Sequence, residues 1–289
     1  MKPFKDLALG VIAQTKAEPQ LTRRIQYWIN YLGEKDCLEV TVEDCDAGIE
    51  ALAQRGKLKY LPKVGTIALN EPLSGATLNR HVSALGFVYK HAKRLRHIPK
   101  GFQSPTKGAD KAKEDNARTI NLSKEQITRV VDASRLMRWH KFTAFVCVAM
   151  STGARVGNLQ TMKWGDIDLT KGTAFFPTSK NGKPYTSALS PLAVTELRRI
   201  KTENDYADTP IFGRKNYRRS WELTLEYAEV KYFCFHGCRH IAASLLSLSG
   251  ASIPLVMAQM NHKTPSMAIR YSHLNTDQLI EQVHKAFAW

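Results

Sequence analysis

A polar segment near the middle of the chain divides the sequence into two parts that must fold separately. Residues 104–118 contain proline, glycine and many charged side chains, but no large apolar residue. Such a stretch cannot contribute to a hydrophobic core, and its composition is typical of an interdomain linker. A length of 289 residues also suits one to two domains. We therefore predict an N-terminal domain over residues 1–103 and a C-terminal domain over residues 119–289.

The N-terminal part shows the apolar spacing of amphipathic helices. Apolar side chains recur every three or four residues over residues 21–32 and again over residues 76–95. Thr41 is a candidate N-cap for a further helix over residues 42–52. The longest of these helices also carries a group of potentially cationic side chains: Arg80, His81, Lys90, Lys93 and Arg94. We predict a helical N-terminal domain.

The C-terminal part combines helices with one small sheet. Runs rich in β-prone residues over 172–177 and 185–189 flank Asn181-Gly182, a dipeptide typical of hairpin turns. The other predicted elements are helices, over residues 142–150, 241–248 and 277–289, with helix starts at Ser123 and Thr264. The predicted fold is therefore mainly α with a small antiparallel β-sheet.

Both parts carry an excess of positive charge. The sequence has 42 Lys and Arg residues against 26 Asp and Glu residues, which gives a formal net charge of +16. Residues 1–103 hold +6 of this charge and residues 119–289 hold +9, so it does not belong to a single tail. This distribution favours a polyanionic partner, either nucleic acid or an anionic membrane surface. A basic enzyme without such a partner is the alternative.

Composition excludes several other classes of protein. The longest apolar stretches, such as residues 142–150, are about half the length that spans a bilayer, and the N-terminus lacks a signal-peptide pattern. The five cysteines are odd in number and widely spread, which favours free thiols in a reducing cytosol. Cys234, His236 and Cys238 lie close together, but no second ligand pair with zinc-like spacing accompanies them. We expect no metal and no cofactor.

Four motifs in the C-terminal part supply the groups that cleavage of a phosphodiester requires. The reaction needs a nucleophile, cations for the non-bridging oxygens and an acid for the leaving oxygen. The sequence has no Gly-rich nucleotide-binding loop, and no paired-carboxylate metal site stands out. The motifs are Thr152-Gly153-Ala154-Arg155, the hairpin lysines Lys180 and Lys183, His236-Gly237-Cys238-Arg239-His240, and Asn261-His262 followed by Arg270-Tyr271. Each motif alone is also compatible with ordinary surface side chains.

In this order, the four motifs resemble those of the tyrosine recombinases, the phage integrase family. That family has a Thr-Gly-x-Arg box, a hairpin lysine, a His-x-x-Arg-His box, a Gly-His pair and an Arg-Tyr-x-His segment. The resemblance covers residues 119–289 strongly and residues 1–103 weakly, where residues 76–85 are similar to a helix of the family's core-binding domain. It implies a two-domain DNA clamp that joins a helical core-binding domain to an α+β catalytic domain.

The resemblance also implies roles for individual side chains. The residues that it implies to be catalytic are Arg155, Lys180, His236, Arg239, His262 and Tyr271. Tyr271 would form a 3′-phosphotyrosyl bond with DNA, and the two arginines would bind the scissile phosphate. Lys180 would protonate the leaving 5′-oxygen, with Lys183 as the alternative, and the two histidines would assist. DNA contacts are expected from Arg80, His81, Lys90, Lys93, Arg94 and Lys183.

At three places the sequence departs from the family pattern. Asn158 stands where the family commonly has a glutamate, and Gly237-Cys238 replaces Asp-Leu. Asn261 replaces the glycine that usually precedes the histidine. These changes remove no catalytic atom, so they concern the positioning of the catalytic groups rather than the presence of an activity.

The expected partners follow from the same resemblance. They are double-stranded DNA recombination sites and further copies of the chain, in a homotetramer on DNA, with no membrane. The helix over residues 277–289 would pack either on its own domain or on a neighbouring protomer.

The leading hypothesis is the integrase of a phage or other mobile element, acting in the cytoplasm at the nucleoid. A resolvase, an inversion enzyme, a non-catalytic DNA-binding protein and an RNA-binding protein are alternatives, and the need for accessory DNA-bending or directionality factors is left open.

Overall fold

The computed structural model describes residues 2–114, 120, 122–178, 182–271 and 284. The chain divides into two units, residues 1–117 and 118–289. The elements of the first unit are α1 Phe4–Thr15, α2 Pro19–Leu32, α3 Val42–Arg55, β1 Leu58–Leu61, β2 Gly65–Ala68 and α4 Gly75–Arg94. Those of the second unit are α5 Lys124–Arg135, α6 Phe142–Thr152, α7 Val156–Thr161, β3 Ile167–Asp168, β4 Thr173–Phe176, β5 Tyr185–Ala188, α8 Pro191–Ile200, α9 Arg218–Tyr227, α10 Gly237–Leu248, α11 Ile253–Met260 and α12 Pro265–Ile269. The prediction of a mainly α fold is confirmed.

The core of the first unit lies between α1, α2 and α4. Trp28 of α2 is fully buried, and its indole N–H donates a hydrogen bond of 2.7 Å to the carbonyl of His81. Tyr89 of α4 is also fully buried, and its hydroxyl donates to the carbonyl of Cys37 at 2.9 Å. Both large side chains thus bury apolar area while their polar atoms remain paired. Both side chains lie on the helix faces that the apolar spacing of the sequence predicts to be buried.

The position of His81 corrects one prediction of the sequence analysis. His81 is expected among the DNA-facing cations of α4, but its side chain is only 9% exposed. Its ring packs edge-on against Tyr27, and desolvation, assisted by two nearby arginines, lowers the pKa of His81 to about 4. The reason is helical phase, since His81 shares the buried face with Leu85 and Val88. The other predicted contact residues of this helix stay at the surface, with Arg80, Lys90 and Arg94 exposed and Lys93 half-buried.

The first unit also contains a sheet that the sequence analysis does not predict. Strands β1 and β2 form an antiparallel two-stranded hairpin. Leu58 and Tyr60 of β1 are 45% and 69% exposed, so the strand has no buried apolar face. Its sequence does alternate polar and apolar residues over Lys57-Leu58-Lys59-Tyr60, a short signal that precedes the proline and glycine of the turn. The expectation of a single small sheet is wrong.

The beginning of the predicted linker lies against the first unit. A short 3₁₀ turn over Pro105–Lys107 buries the proline. Further along, the side chain of Asn79 on α4 donates to the carbonyl of Ala112 and accepts from its N–H, both at 2.9 Å. Residues 104–114 are thus part of the surface of the first unit, whereas residues 115–119 lie outside the described residues.

The second unit is built around the buried helix α6. Its apolar residues pack against α5, α8 and α10, and Phe145 stacks on Phe235 with 4.8 Å between ring centroids. Strands β3, β4 and β5 form an antiparallel sheet in that order, and β4 and β5 match the two predicted strands. Ser123 caps α5 together with Gln126, as its spacing predicts. In the part of the chain that the structure describes, no helix is both long and apolar enough to cross a membrane.

Candidate active site

Helix α6 ends at Gly153, and this end of the helix places Arg155. Gly153 has a φ of +60°, which glycine adopts without the steric cost that a side chain brings. A Cβ atom at this position would also collide with the sulfur of Met260. Arg155 follows as the N-cap residue of α7 and is half-buried. The arginine is therefore fixed on a tight turn between two helices.

Arg239, in the first turn of α10, is a buried cation that backbone carbonyls hold in place. Its side chain is 8% exposed. One terminal nitrogen donates to the carbonyl of Gly153 at 2.7 Å, and the other donates to the carbonyl of Met260. A guanidinium has five N–H donors, so three remain for a ligand. Among the described residues, the cation that acts on Arg239 is Arg155, and no carboxylate pairs with its guanidinium. A buried cation without a carboxylate partner is a site for an anion.

Three histidines lie close enough to Arg239 for its charge to lower their pKa values. His236 is the N-cap of α10, His240 follows one turn later, and His262 follows the end of α11. Desolvation is the main cause of the lowered pKa in each case, and nearby cations add to it. The pKa of His262 falls to about 4. These rings are therefore predominantly neutral near pH 7.

Tyr271 lies buried between two of these histidines. Its hydroxyl is 2.5 Å from Nδ1 of His240, and its ring stacks on that of His262 with 6.5 Å between centroids. Desolvation raises the pKa of Tyr271, while the charges of Arg270 and Arg239 oppose this effect. The phenol is therefore protonated at neutral pH, and it faces a ring nitrogen that can accept its proton when His240 carries its own proton on Nε2.

The sequence analysis assigns no role to His240, although this residue ends the His-x-x-Arg-His box. Motif spacing alone places His236 and Arg239 on one side of a helical turn and does not reveal which histidine meets the tyrosine. That contact depends on how the segment after α12 returns to α10, which is a property of the tertiary fold. The structure therefore adds His240 to the candidate site residues.

Two departures from the family pattern have a steric explanation. Asn261 ends α11 with a φ of +49°, in the left-handed region that favours glycine and tolerates asparagine. Gly237 opens α10, and a Cβ atom there would collide with the side chains of Phe233 and Ile120. The neighbouring Cys238 is buried in the core of the unit. Asn261 thus precedes His262 in a conformation that glycine also adopts, and Gly237 fits a space that would not hold a larger side chain.

The third departure, Asn158, connects α7 to the sheet. Its side-chain amide donates to the carbonyl of Thr178 at 3.2 Å and also hydrogen-bonds Tyr185. Thr178 lies two residues after the end of β4 and two residues before Lys180 in the sequence. Lys180 itself lies outside the described residues, and Lys183 on the far side of the turn is exposed.

The second unit thus brings together most of the residues that the sequence analysis places at its catalytic site. Arg239 lies within electrostatic range of Arg155, Tyr271 and the three histidines, and Arg155 lies within range of His236 and His262. The arrangement combines a phenol, neutral imidazoles and two guanidinium groups in a partly desolvated site. Those are the groups that attack on a phosphodiester requires. The predicted contact residues Arg80, Lys90, Lys93 and Arg94 belong to the other unit.

Comparison with known proteins identifies similar chains. A profile of the phage integrase family matches residues 121–278. The shufflon-specific DNA recombinase of Escherichia coli is 24% identical over an alignment of 229 residues, and the match covers 76% of this chain and 58% of that protein. The integrase of Salmonella phage P22 is 20% identical over an alignment of 286 residues, and the match covers 91% of this chain and 73% of that protein. The chain therefore spans less than two thirds of the length of the first of these relatives.

The fold is similar to that of a solved transposon integrase. The structure of the Tn1549 integrase in complex with circular intermediate DNA has a TM-score of 0.71, with 14% sequence identity over 98% of this chain and 99% of that chain. At this level of identity the similarity shows the fold alone. The matched segment of the sequence, residues 121–278, contains every candidate catalytic residue described above.

Proposed function

Because the chain belongs to the phage integrase family, we propose that it is a site-specific DNA recombinase, the integrase of a phage or another mobile element. The observation that carries this proposal is the 2.5 Å contact between the Tyr271 hydroxyl and His240 Nδ1, beside the buried Arg239. A non-catalytic DNA-binding protein would have no need of this arrangement. A resolvase or an inversion enzyme would use the same chemistry and is the second candidate.

In the proposed reaction the Tyr271 oxygen attacks the scissile phosphorus. The bond between the tyrosine oxygen and phosphorus forms as the bond from phosphorus to the 5′-oxygen breaks, which leaves a 3′-phosphotyrosyl link. The phenol proton passes to Nδ1 of neutral His240. Arg155 and Arg239 bind the non-bridging oxygens, which gain negative charge in the transition state. The 5′-hydroxyl of a partner strand then attacks the phosphotyrosyl phosphorus and releases Tyr271, which takes back its proton. The exchanged strands form a Holliday junction, and no step uses ATP or a metal.

The leaving 5′-oxygen needs a proton, and we assign this role to Lys180. The hydrogen bond from Asn158 to the carbonyl of Thr178 supports the assignment, because it fixes the chain two residues before Lys180. Lys183 is the alternative donor. His236 and His262, predominantly neutral near pH 7, would donate hydrogen bonds to phosphate oxygens. The role of Lys180 rests on its position in the sequence, and the roles of His236 and His262 rest also on their surroundings.

Covalent trapping on DNA tests the proposed function. The substrate is a duplex selected by binding from a pool with a randomised central segment. It carries a nick close to the cleavage site, so that cleavage releases a short strand, which diffuses away. We expect a covalent protein–DNA complex that forms equally well in EDTA, because no step uses a metal. Proteinase digestion should leave a peptide on the 3′ end. A strict requirement for Mg²⁺, or cleavage that leaves free ends, would instead indicate a nuclease.

The pH dependence of cleavage tests His240. Its pKa is lowered, chiefly by desolvation and further by Arg270 and Arg239. Neutral His240 accepts the proton, so the single-turnover cleavage rate is expected to fall as the pH decreases through this lowered pKa, below the ordinary value near 6.5. His240→Gln should reduce the rate by about 100-fold and remove that acidic limb of the profile.

A histidine remote from the site is the matched control for His240. His140 is exposed on the same unit, and His140→Gln should retain both the rate and the shape of the pH profile. A His240→Gln variant with an unchanged acidic limb would show that His240 only packs against the tyrosine. A wild-type rate in that variant would remove His240 from the mechanism.

The partners are proposed on the same basis. We take double-stranded recombination sites as the substrate and a homotetramer on DNA as the active assembly, acting at the nucleoid. An open apolar groove of about 440 Å³ on the second unit, lined by residues including Leu245, Leu246 and Leu255, supports docking of an apolar helix face. The predicted helix over residues 277–289 has such a face in its sequence, but it lies outside the described residues except for His284.

A further inference from the structure

The hairpin of the first unit, residues 57–69, takes no part in the site described above. Its strands pair antiparallel over four residue pairs, and the Val64 N–H closes the turn by donating to the carbonyl of Leu61 at 3.1 Å. At the base of the hairpin, the Lys57 N–H donates to the carbonyl of Glu71 at 2.8 Å. The hairpin is therefore a ribbon with a defined tip and a fixed base, and α4 begins soon after it.

Apolar side chains of this hairpin face solvent. Tyr60 and Val64 are each 69% exposed, and Leu58 is 45% exposed. All of residues 57–69 are described, and none belongs to the buried core of the first unit. A two-stranded hairpin without a core partner is only marginally stable in water. The exposed apolar surface therefore does not serve the folding of this unit and marks a surface that meets a partner.

The charge of the hairpin indicates the chemistry of that partner. Residues 55–70 contain four cations, Arg55, Lys57, Lys59 and Lys63, and no aspartate or glutamate. Lys57 forms an ion pair of 2.6 Å with Glu71 at the base, whereas Lys59 and Lys63 are exposed. A ribbon that combines lysines with apolar side chains is complementary to duplex DNA, whose phosphates flank grooves lined by base edges and sugars.

We propose that the hairpin is a DNA-binding arm whose tip enters a groove of the duplex. Lys59 and Lys63 bind phosphates at the groove edges, and Pro62 and Val64 at the tip contact base edges or sugars. A two-stranded ribbon fits the major groove, and apolar residues such as proline act as wedges in minor-groove binding. This inference rests on the proposed function, since it takes DNA as the substrate, and it adds a contact element beyond the exposed face of α4.

The salt dependence of binding to a mixed-sequence duplex tests the arm without knowledge of the recombination site. Each phosphate contact contributes about 0.9 to the slope of log affinity against log salt concentration. The double variant Lys59→Ala/Lys63→Ala is expected to reduce this slope by about 2. The matched control, Lys59→Arg/Lys63→Arg, keeps both charges and should keep the slope.

Hydroxyl-radical footprinting of the selected duplex tests the apolar tip. A Pro62→Ser/Val64→Ser variant should lose protection over one short segment of DNA and retain the rest of the footprint. An unchanged slope together with an unchanged footprint would overturn the proposal. So would variants that alter only self-association in sedimentation, because the hairpin would then contact a second copy of the chain.

The trapping experiment separates this inference from the proposed function. Hairpin variants should still form the covalent Tyr271 complex at saturating protein concentration, because the arm does not contact the scissile phosphate. If the hairpin tests fail while trapping succeeds, only the arm is rejected. If the wild-type protein forms no covalent complex, the recombinase assignment fails, whatever the salt slope of the hairpin variants.

Discussion

Tyr271→Phe is expected to abolish covalent attachment to the nicked duplex while leaving DNA binding close to that of the wild type. The substitution removes one oxygen atom, the atom that would bond to phosphorus, and no other group in the site can replace it. It also removes the contact with His240, which contributes about 1 kcal/mol to stability. Folding and the exposed basic surfaces should therefore be retained. The measurement is denaturing electrophoresis of trapped complexes beside a binding titration.

A second tyrosine of the same unit provides the matched control. Tyr217 is half-buried and packs on Phe145 and Phe235 in the core of the second unit. Tyr217→Phe should trap DNA at the wild-type level. Equal trapping by Tyr271→Phe and the wild type would mean that another residue is the nucleophile, and mapping the peptide on the 3′ end would then identify it.

Arg239→Lys is expected to lower the single-turnover cleavage rate between about 100-fold and 1,000-fold. The guanidinium donates to the carbonyls of Gly153 and Met260 and still has N–H groups for the phosphate. A lysine ammonium is a single point donor on a flexible stem and cannot serve two fixed carbonyls and a phosphate in one geometry. The variant should keep its charge and much of its affinity for DNA, so the loss should appear in the rate.

Arg198→Lys is the control for this change. Arg198 also donates to a backbone carbonyl, that of Leu169 at 3.0 Å, but it is exposed on the far end of α8. Its variant should cleave at the wild-type rate. Urea unfolding of both variants separates a loss of stability from a loss of transition-state binding. A wild-type rate in Arg239→Lys at saturating DNA would exclude the phosphate-binding role.

The helices were largely predictable from the sequence because their apolar spacing is strong. The stripe that buries Trp28 and the continuous apolar run of α6 both fall where periodicity places them. His81 illustrates the limit of this approach. A histidine beside Arg80 in sequence reads as a second cation, but a step of one residue rotates the side chain by about 100° around the helix. This rotation puts His81 on the buried face of α4, where Tyr27 packs against the ring and desolvation keeps it neutral.

The candidate site was predictable as a set of residues and not as a set of contacts. Motif order places Arg155, Arg239 and Tyr271 in one site, because each motif carries a recognisable pattern. The contact between His240 and Tyr271 joins residues that are 31 positions apart, and it has no signature in either motif. The hairpin of residues 57–69 escaped prediction because its strands are only four residues long, so their alternation of polar and apolar residues is a short pattern.

The two carbonyl contacts of Arg239 also have a consequence for assembly of the protein. They join the end of α6, the start of α10 and the end of α11, three segments that are distant in sequence. The guanidinium that we propose as a phosphate ligand is therefore in place only when all three segments have docked. In the proposed mechanism, a nascent or partly unfolded chain would lack the phosphate site and could not cleave DNA. Completion of this fold would then be a precondition for strand cleavage.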